Sequence, residues 1–459
     1  MSTVTASPWS REGLTEFLAG RQEPGWLTQR REQAWELYQS WLTQPLDPEE
    51  YKRVDLRLFR PDHFHWVATP ACREVPTLMA SKGEFGGTVV HVDGHAVRYV
   101  LDECWTRQGV IFTGMSELLA ARPEVLQPWV GQIWEYHDQF AAWHTAFCTG
   151  GCVLLVPRGI KLSCPLHSVI ALASPKAADF SHTLVILEEG AEATLLEETV
   201  SANAYAEGLH MGAVTLLVGR GATLRYVQLQ NWNQQVWHLA RQTGYVAEDA
   251  NLQWTVGALG AKLAHIHQHV HLQGRGGTAE VNGVTFATHK QRLSYYTQQS
   301  HHAPQTRSDL LYKDVLRDQS RVIWRGMIKV DPEAQHIDGY QRNDALLLSD
   351  HCRADLIPGL EIEADDVRCT HGATAGCVDT DQLLYCMSRG VPRDAAMHLI
   401  VEGFFERVYA RVPVPLVRET LRTTVRRKLG LLDRDDVTTL GAGEEDPTSE
   451  TEEISEGTP

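Results

Sequence analysis

The chain has 459 residues, 43% of them hydrophobic and 22% charged, which suits two or three compact bodies or one long solenoid. Its formal net charge is −16, but ten acidic residues and one basic residue fall in Asp433–Pro459, leaving 48 acidic against 41 basic residues elsewhere. No Lys/Arg block marks a nucleic-acid surface, no apolar run is long enough to span a membrane, and Met1–Gly20 lacks the apolar core of a secretory leader. Nine scattered cysteines, an odd number, predict reduced thiols in a cytoplasmic setting.

In chain order, Ser10 is placed to cap a short helix over Arg11–Leu18, and Arg30–Leu42 carries Ala34, Leu37, Tyr38 and Trp41 at helical spacing. Pro45 and Pro61 interrupt any longer helix. Thr88–Val92 and Ala96–Leu101 flank Asp93-Gly94, which predicts a hairpin. Ser116–Ala121 and Val125–Ala146 return to helical periodicity, so residues 1–149 read as a helical and mixed α/β region.

From 150 to 375 short β-rich runs alternate with turn residues. Leu187–Thr194, Leu217–Arg225, Val246–Gln253 and Leu272–Ala279 resemble one another, and their turn residues Gly190, Gly221, Asp249 and Gly276 recur every 27 to 31 positions. That period suits stacked coils of a β-solenoid, and a β-sandwich with similar hairpins is the competing architecture. Residues 376–432 read as a helical domain. Within it lie an apolar Gln382–Met387, a helix over Arg393–Arg411 and another over Leu416–Leu429, whose cationic end complements the helix dipole. The acidic tail, 433–459, reads as disordered.

The chain carries no phosphate-binding loop, dinucleotide fingerprint, nucleophile elbow, His-Glu-x-x-His or Cys-x-x-Cys motif. Its densest titratable cluster is His265, His267, His269 and His271. On a strand these four imidazoles share one face about 7 Å apart, far for two ligands of one metal unless another element assists. The plain alternative is a polar outer face of one coil, with Ile266, Gln268, Val270 and Leu272 inside. His301-His302 and the pair Cys148 and Cys152 read as structural. Cys352, Cys369, His371 and Cys377 stand within 26 residues, and the soft ligands Cys369 and His371 share a face on a strand.

The run Leu346–Asp350, Arg353-Ala-Asp355, Pro358, Leu360-Glu-Ile362, Asp365–Gly376, Asp381–Tyr385, Ser388-Arg-Gly390 and Glu402-Gly-Phe404 resembles the C-terminal signature of the SufB/SufD family of iron–sulfur cluster assembly proteins. Upstream, Thr306-Arg-Ser308, Val156-Pro-Arg-Gly159 and Glu23-Pro-x-Trp26 are also similar. The string Cys369-x-His371-Gly-Ala-Thr is closer to the SufD-like branch, since SufB-type chains typically carry Glu-His-Glu-Ala-Thr there.

The resemblance implies a right-handed parallel β-helix flanked by helical regions. It implies a non-catalytic scaffold working with a SufB-type paralogue, as a heterodimer, and with a SufC-type ABC ATPase. The ATPase would hydrolyse the ATP, so this chain would bind no nucleotide. A cysteine desulfurase system would be involved only indirectly. A transient Fe–S cluster or iron would sit at the subunit interface, with His371 and Cys369 contributing and Cys352 as a weaker candidate. The C-terminal helices would dock the ATPase, through Leu383, Tyr385, Arg389, Gly390, Phe404 and Phe405. Two rivals stand beside this reading: a stand-alone metal-binding protein or metalloenzyme built on His265–His271, and a SufB-type subunit that builds the cluster mainly on itself.

Overall fold

A computed structural model describes residues 7–431 and 438–440, apart from 71, 73 and 80–82. The expected parallel β-solenoid is present, with about eight turns and with helices at both ends. One sheet stacks Cys152–Val156, His182–Leu187, Gly208–Val218, Val236–Val246, Leu263–Leu272, Arg292–His301, Arg321–Val330 and Arg353–Ile362 in parallel, with Ile111–Gly114 antiparallel at its far edge. The other stacks Gly87–Val92, Leu166–Leu172, Glu192–Ser201, Thr223–Asn231, Asn251–Ala258, Thr278–Ala287, Arg307–Leu316, Ile337–Leu347 and Val367–Cys377. The chain passes from the first sheet to the second at each repeat turn.

Those turns explain the sequence period. Gly190, Gly221, Asp249 and Gly276 all have positive φ (70°, 64°, 53° and 72°), and Gly159, Gln305 and His336 occupy the same place in neighbouring coils. A left-handed residue reverses the chain in four positions, and glycine does so without Cβ strain. The small Ala191, Ala222 and Ala250 that follow turn inward and are buried.

Along each strand, alternate side chains point into the coil and stack on equivalents above and below. Two such columns in the second sheet run Ala193–Leu224–Leu252–Ala279–Ser308–Gly339–Cys369 and Leu195–Tyr226–Trp254–Val281–Leu310–Gln341–His371. A single hydrophobic core threads these coils from Val89 to Cys352.

Helices cover the outer faces. Arg11–Ala19, with Ser10 Oγ accepting from Gly13 N at 3.0 Å, joins Gly25–Trp41 and Gln139–Phe147 on the first sheet. There Trp9, Phe17, Trp35, Tyr38 and Trp143 pack on Leu209, Met211, Trp237, Leu239 and Leu263. Buried Arg31 locks this layer. Its guanidinium donates twice to Glu23, at 2.7 Å each, and also to the carbonyls of Thr145, Ala146 and Cys148. Arg393–Tyr409 and Pro415–Lys428 cover the second sheet, with Val401, Phe405, Val408 and Leu421 against Val227, Phe286, Leu311 and Val315.

Two expectations needed revision. Val125–Ala146 is not one helix. Short turns end at Ile133, and a new helix starts at Gln139 because Asp138 Oδ1 accepts from Ala141 N at 2.7 Å. The predicted hairpin forms, with Asp93 and Gly94 both at positive φ, but it is no part of a separate body: Gly87–Val92 pairs in parallel with Leu166–Leu172 and extends the second sheet. In the acidic tail, Thr438–Leu440 pairs antiparallel with Val75–Thr77, and the remainder of that expectation lies outside the described residues.

If column packing holds the coils, Trp254→Ala, which empties a fully buried inward position, will cost about 3–5 kcal/mol. The urea unfolding midpoint will fall accordingly. An unchanged midpoint would mean the coils are held from outside by the helices.

Candidate functional site

Every inner coil buries its inward side chains between two neighbours, and among the described residues the coil Arg353–Cys377 has a neighbour on one side only. It therefore presents a row of half-covered inward groups: Leu356 and Leu360 from the first sheet, and Val367, Cys369 and Ala373 from the second, with His371 exposed between the last two. Cys369 packs with Leu360, Ile328 and Ile337, and burial pushes its thiol pKa up. The same-face placement of Cys369 and His371 expected from sequence is what the register gives, since they lie opposite Gly339 and Gln341. Glu361, Glu363 and Asp366 are exposed at the corner of this coil. The outer edges of Arg353–Ile362 and Val367–Cys377 carry backbone groups with no further strand to pair with among the described residues.

Cys352 does not join this group. It is buried in the turn before Arg353, with Sγ 2.9 Å from the Ser349 carbonyl oxygen and 3.6 Å from that of Leu316, in the core of the coil below. A thiol committed to that core cannot reach the open face, so its candidacy as a ligand is withdrawn. Cys148 and Cys152 are likewise buried free thiols, and His301 is buried against Thr306 and Ser308.

The histidine strand Leu263–Leu272 splits into two halves. Ile266 and Val270 enter the solenoid core, as the alternation requires, and the imidazoles point outward. They do not make an open polar face. The short helix Pro48–Tyr51, capped by Asp47 Oδ1 on Glu49 N at 2.9 Å, crosses the strand and buries His265 and His267. Glu50 Oε1 lies 2.5 Å from His267 Nε2 and 3.3 Å from His265 Nε2. Burial opposes ionisation of Glu50, yet hydrogen bonds from His265 and His267 hold its carboxyl well below the usual range. His269 and His271 turn elsewhere. His269 Nε2 is 2.8 Å from Ser300 Oγ, and His271 Nδ1 is 2.9 Å from His302 Nε2, whose ring is held by Asp331 at 2.7 Å. Sequence reasoning missed Glu50, which lies 215 positions from His265. Its only local signal was the Asp-Pro-Glu-Glu helix start, and that names no partner.

The C-terminal helices divide the predicted docking residues. Phe405 is fully buried in the core that seats the helices under the second sheet, and Leu383 is only 7% exposed, so neither offers much surface to a partner. Phe404 is half-buried with Lys313 Nζ 4.4 Å above its ring. Tyr385 is 61% exposed with Arg389 against its ring, and Gly390 ends Thr380–Ser388 at φ 84°. Leu384, Met387 and Leu399 are also exposed, Leu399 lining a shallow groove together with Tyr385, and they leave apolar surface on Thr380–Ser388 and Arg393–Tyr409.

A family model described as "SUF system FeS cluster assembly, SufBD core domain" matches residues 170–404, and one described as "SufBD protein N-terminal region" matches 19–167. The chain belongs to the SufBD family of iron–sulfur cluster assembly. Curated relatives named as iron–sulfur cluster assembly SufBD family proteins, from Staphylococcus epidermidis, Staphylococcus haemolyticus and Staphylococcus aureus, are each 28% identical over 376 residues, covering 82% of this chain and 77% of theirs. The core match of this SufBD chain ends at Phe404, so it includes the open coil and reaches into the helical patch.

Burial also sets an acid limit on this architecture. Desolvation lowers His91, His144 and His301 to about 4 and His238 to about 3, so each is neutral when folded. Unfolded histidines take up a proton near pH 6.5. Stability is therefore complete above about pH 6.5 and lost as pH falls toward 4. Asp179 and Asp314, raised by burial to about 7 and about 6, act in the opposite sense but are outnumbered. The melting temperature is expected to fall by several degrees between pH 7 and pH 4.5. A flat or rising profile would contradict neutral burial of these histidines.

Proposed function

We propose that this chain is the SufD-like, non-catalytic scaffold subunit of a SUF assembly complex, and that a SufB-type paralogue stacks on the open coil Arg353–Cys377. The observation that carries the reading is that two inward columns of the solenoid end on a half-buried Cys369 and an exposed His371. A second solenoid of like cross-section completes those columns, pairs the free strand edges and covers Leu356, Leu360 and Val367. His371 and Cys369 then lie at the seam, with an imidazole nitrogen and a thiol facing groups of the partner. A thiol and an imidazole are suitable ligands for iron–sulfur cargo. Ligation requires the deprotonated thiolate and the neutral imidazole, so cargo binding displaces the Cys369 proton and weakens at low pH. A ligand set shared between two subunits also allows release when the seam opens.

The apolar patch of Leu384, Tyr385, Met387 and Leu399 is the second contact, made with a SufC-type ABC ATPase that supplies the nucleotide chemistry. Apolar groups this exposed on two adjoining helices favour a partner. Nine free cysteines support a reducing, cytoplasmic setting, and no helix among the described residues is long and apolar enough to cross a membrane. Sulfur reaches the complex from a cysteine desulfurase system without direct contact with this chain.

Two experiments test the two contacts. In the chain co-expressed with its SufB- and SufC-type partners, His371→Ala is expected to leave the complex intact by size exclusion and to lower its cluster content at least severalfold. Unchanged cluster content, or an equally stable cluster on the isolated chain, overturns the seam. Leu384→Ser with Tyr385→Ser is expected to preserve the circular dichroism spectrum and abolish co-purification of the ATPase. Undiminished co-purification removes the patch from the interface.

A further inference from the structure

The pair His265 and His267 has no part in the open coil, yet it forms the tightest convergence of ligand atoms among the described residues. Glu50 Oε1, His265 Nε2 and His267 Nε2 lie within 4.8 Å of one another. The two Nε2 atoms are 3.2 Å apart, with the rings nearly perpendicular at 86°. This answers the spacing objection raised by the strand itself. Rings rooted about 7 Å apart tilt together, and a third element brings the carboxylate.

Metal–ligand bonds of about 2.0–2.1 Å in a tetrahedron set ligand atoms about 3.3 Å apart. The Nε2–Nε2 separation of 3.2 Å and the His265–Glu50 separation of 3.3 Å fit this directly. The His267–Glu50 separation of 2.5 Å has to open by less than about 1 Å. His265 Nδ1 stands 3.1 Å from Ser294 Oγ, the second-nitrogen contact that orients a ligating imidazole and leaves Nε2 free to coordinate. A cavity of about 60 Å³ opens beside His265 and His267, walled also by Tyr51, Asp138 and Arg241, with room for water at a remaining coordination position. The ion pair of Asp138 with Arg241, at 3.3 Å, lines this space. The rings of His269 and His271 lie closer still, with centroids 3.7 Å apart, but no group of three ligand atoms converges there among the described residues; His269 Nε2 meets Ser300 and His271 Nδ1 meets His302.

We infer that Glu50, His265 and His267 bind a divalent first-row metal ion, zinc or iron(II), which fastens the short helix Pro48–Tyr51 of the N-terminal region to the solenoid wall. Two imidazoles and one carboxylate are the donor set such ions take when a position is left to water. The ion ties residue 50 to strand Leu263–Leu272 and so adds stability only to the folded chain. The site is independent of the cluster seam and stands whether or not His371 has the role proposed above.

The test uses the full chain after chelator treatment, titrated with zinc in one arm and with iron(II) under anaerobic conditions in the other. Binding is read by calorimetry and by the melting temperature. One ion per chain with a raised melting temperature is expected in at least one arm, and the tighter arm names the metal. Glu50→Gln and His267→Ala are expected to weaken binding at least tenfold with the circular dichroism spectrum unchanged, while His271→Ala and His371→Ala leave it intact. The site is overturned if neither ion binds near one per chain. It is equally overturned if Glu50→Gln binds as wild type, or if His271→Ala loses as much as His267→Ala.

Discussion

A parallel β-solenoid buries each coil against the next, and none of the described residues forms a neighbour for its last coil. Nearly everything else in this protein follows from how its ends and sides are closed. The first coils are closed from within: the hairpin Gly87–Leu101 adds antiparallel edges to one sheet, and Ile111–Gly114 does the same for the other. The outer faces are closed by two helical layers, one per sheet. The far end, Arg353–Cys377, is left open, and there the inward columns change from Leu310 and Ser308 to Gln341 and Gly339, then to His371 and Cys369. The composition of the columns shifts from packing groups to an imidazole and a thiol where the coil runs out of neighbours among the described residues.

What could be read in the sequence tracks how local the governing interaction is. The turns were legible because a left-handed backbone position selects glycine or asparagine-like residues within four positions, as at Gly190, Gly221 and Asp249. The shared face of Cys369 and His371 was legible because strand alternation is local. The register that makes them the last members of two columns is a property of seven stacked coils, and no short segment encodes it. The N-terminal hairpin was recognised from Asp93-Gly94, but its membership of the solenoid sheet was not, since that depends on pairing with Leu166–Leu172.

Burial was the harder quantity. Leu383 sits in the same apolar run as Tyr385, and Phe405 directly follows Phe404, and helical periodicity alone does not say which face meets the solenoid. The helices seat by their most apolar stripe, and what remains outside, Leu384, Tyr385, Met387 and Leu399, is the patch. The histidine strand shows the same effect in reverse. Alternation placed its imidazoles outside the coil correctly, but outside the coil is not outside the protein. Pro48–Tyr51 covers His265 and His267 and turns a polar stripe into a buried carboxylate–imidazole cluster.

The central claim is that the open coil is an interface. Amide hydrogen exchange measured on this chain alone and in complex with a SufB-type partner tests it most directly, because the edges of the last strands are the backbone groups that stacking would pair. The account predicts fast exchange over Arg353–Ile362 and Val367–Cys377 in the isolated chain and strong protection of both strands in the complex, with the inner coils unchanged. Equal exchange of these strands in the two states, with protection appearing elsewhere, would contradict it.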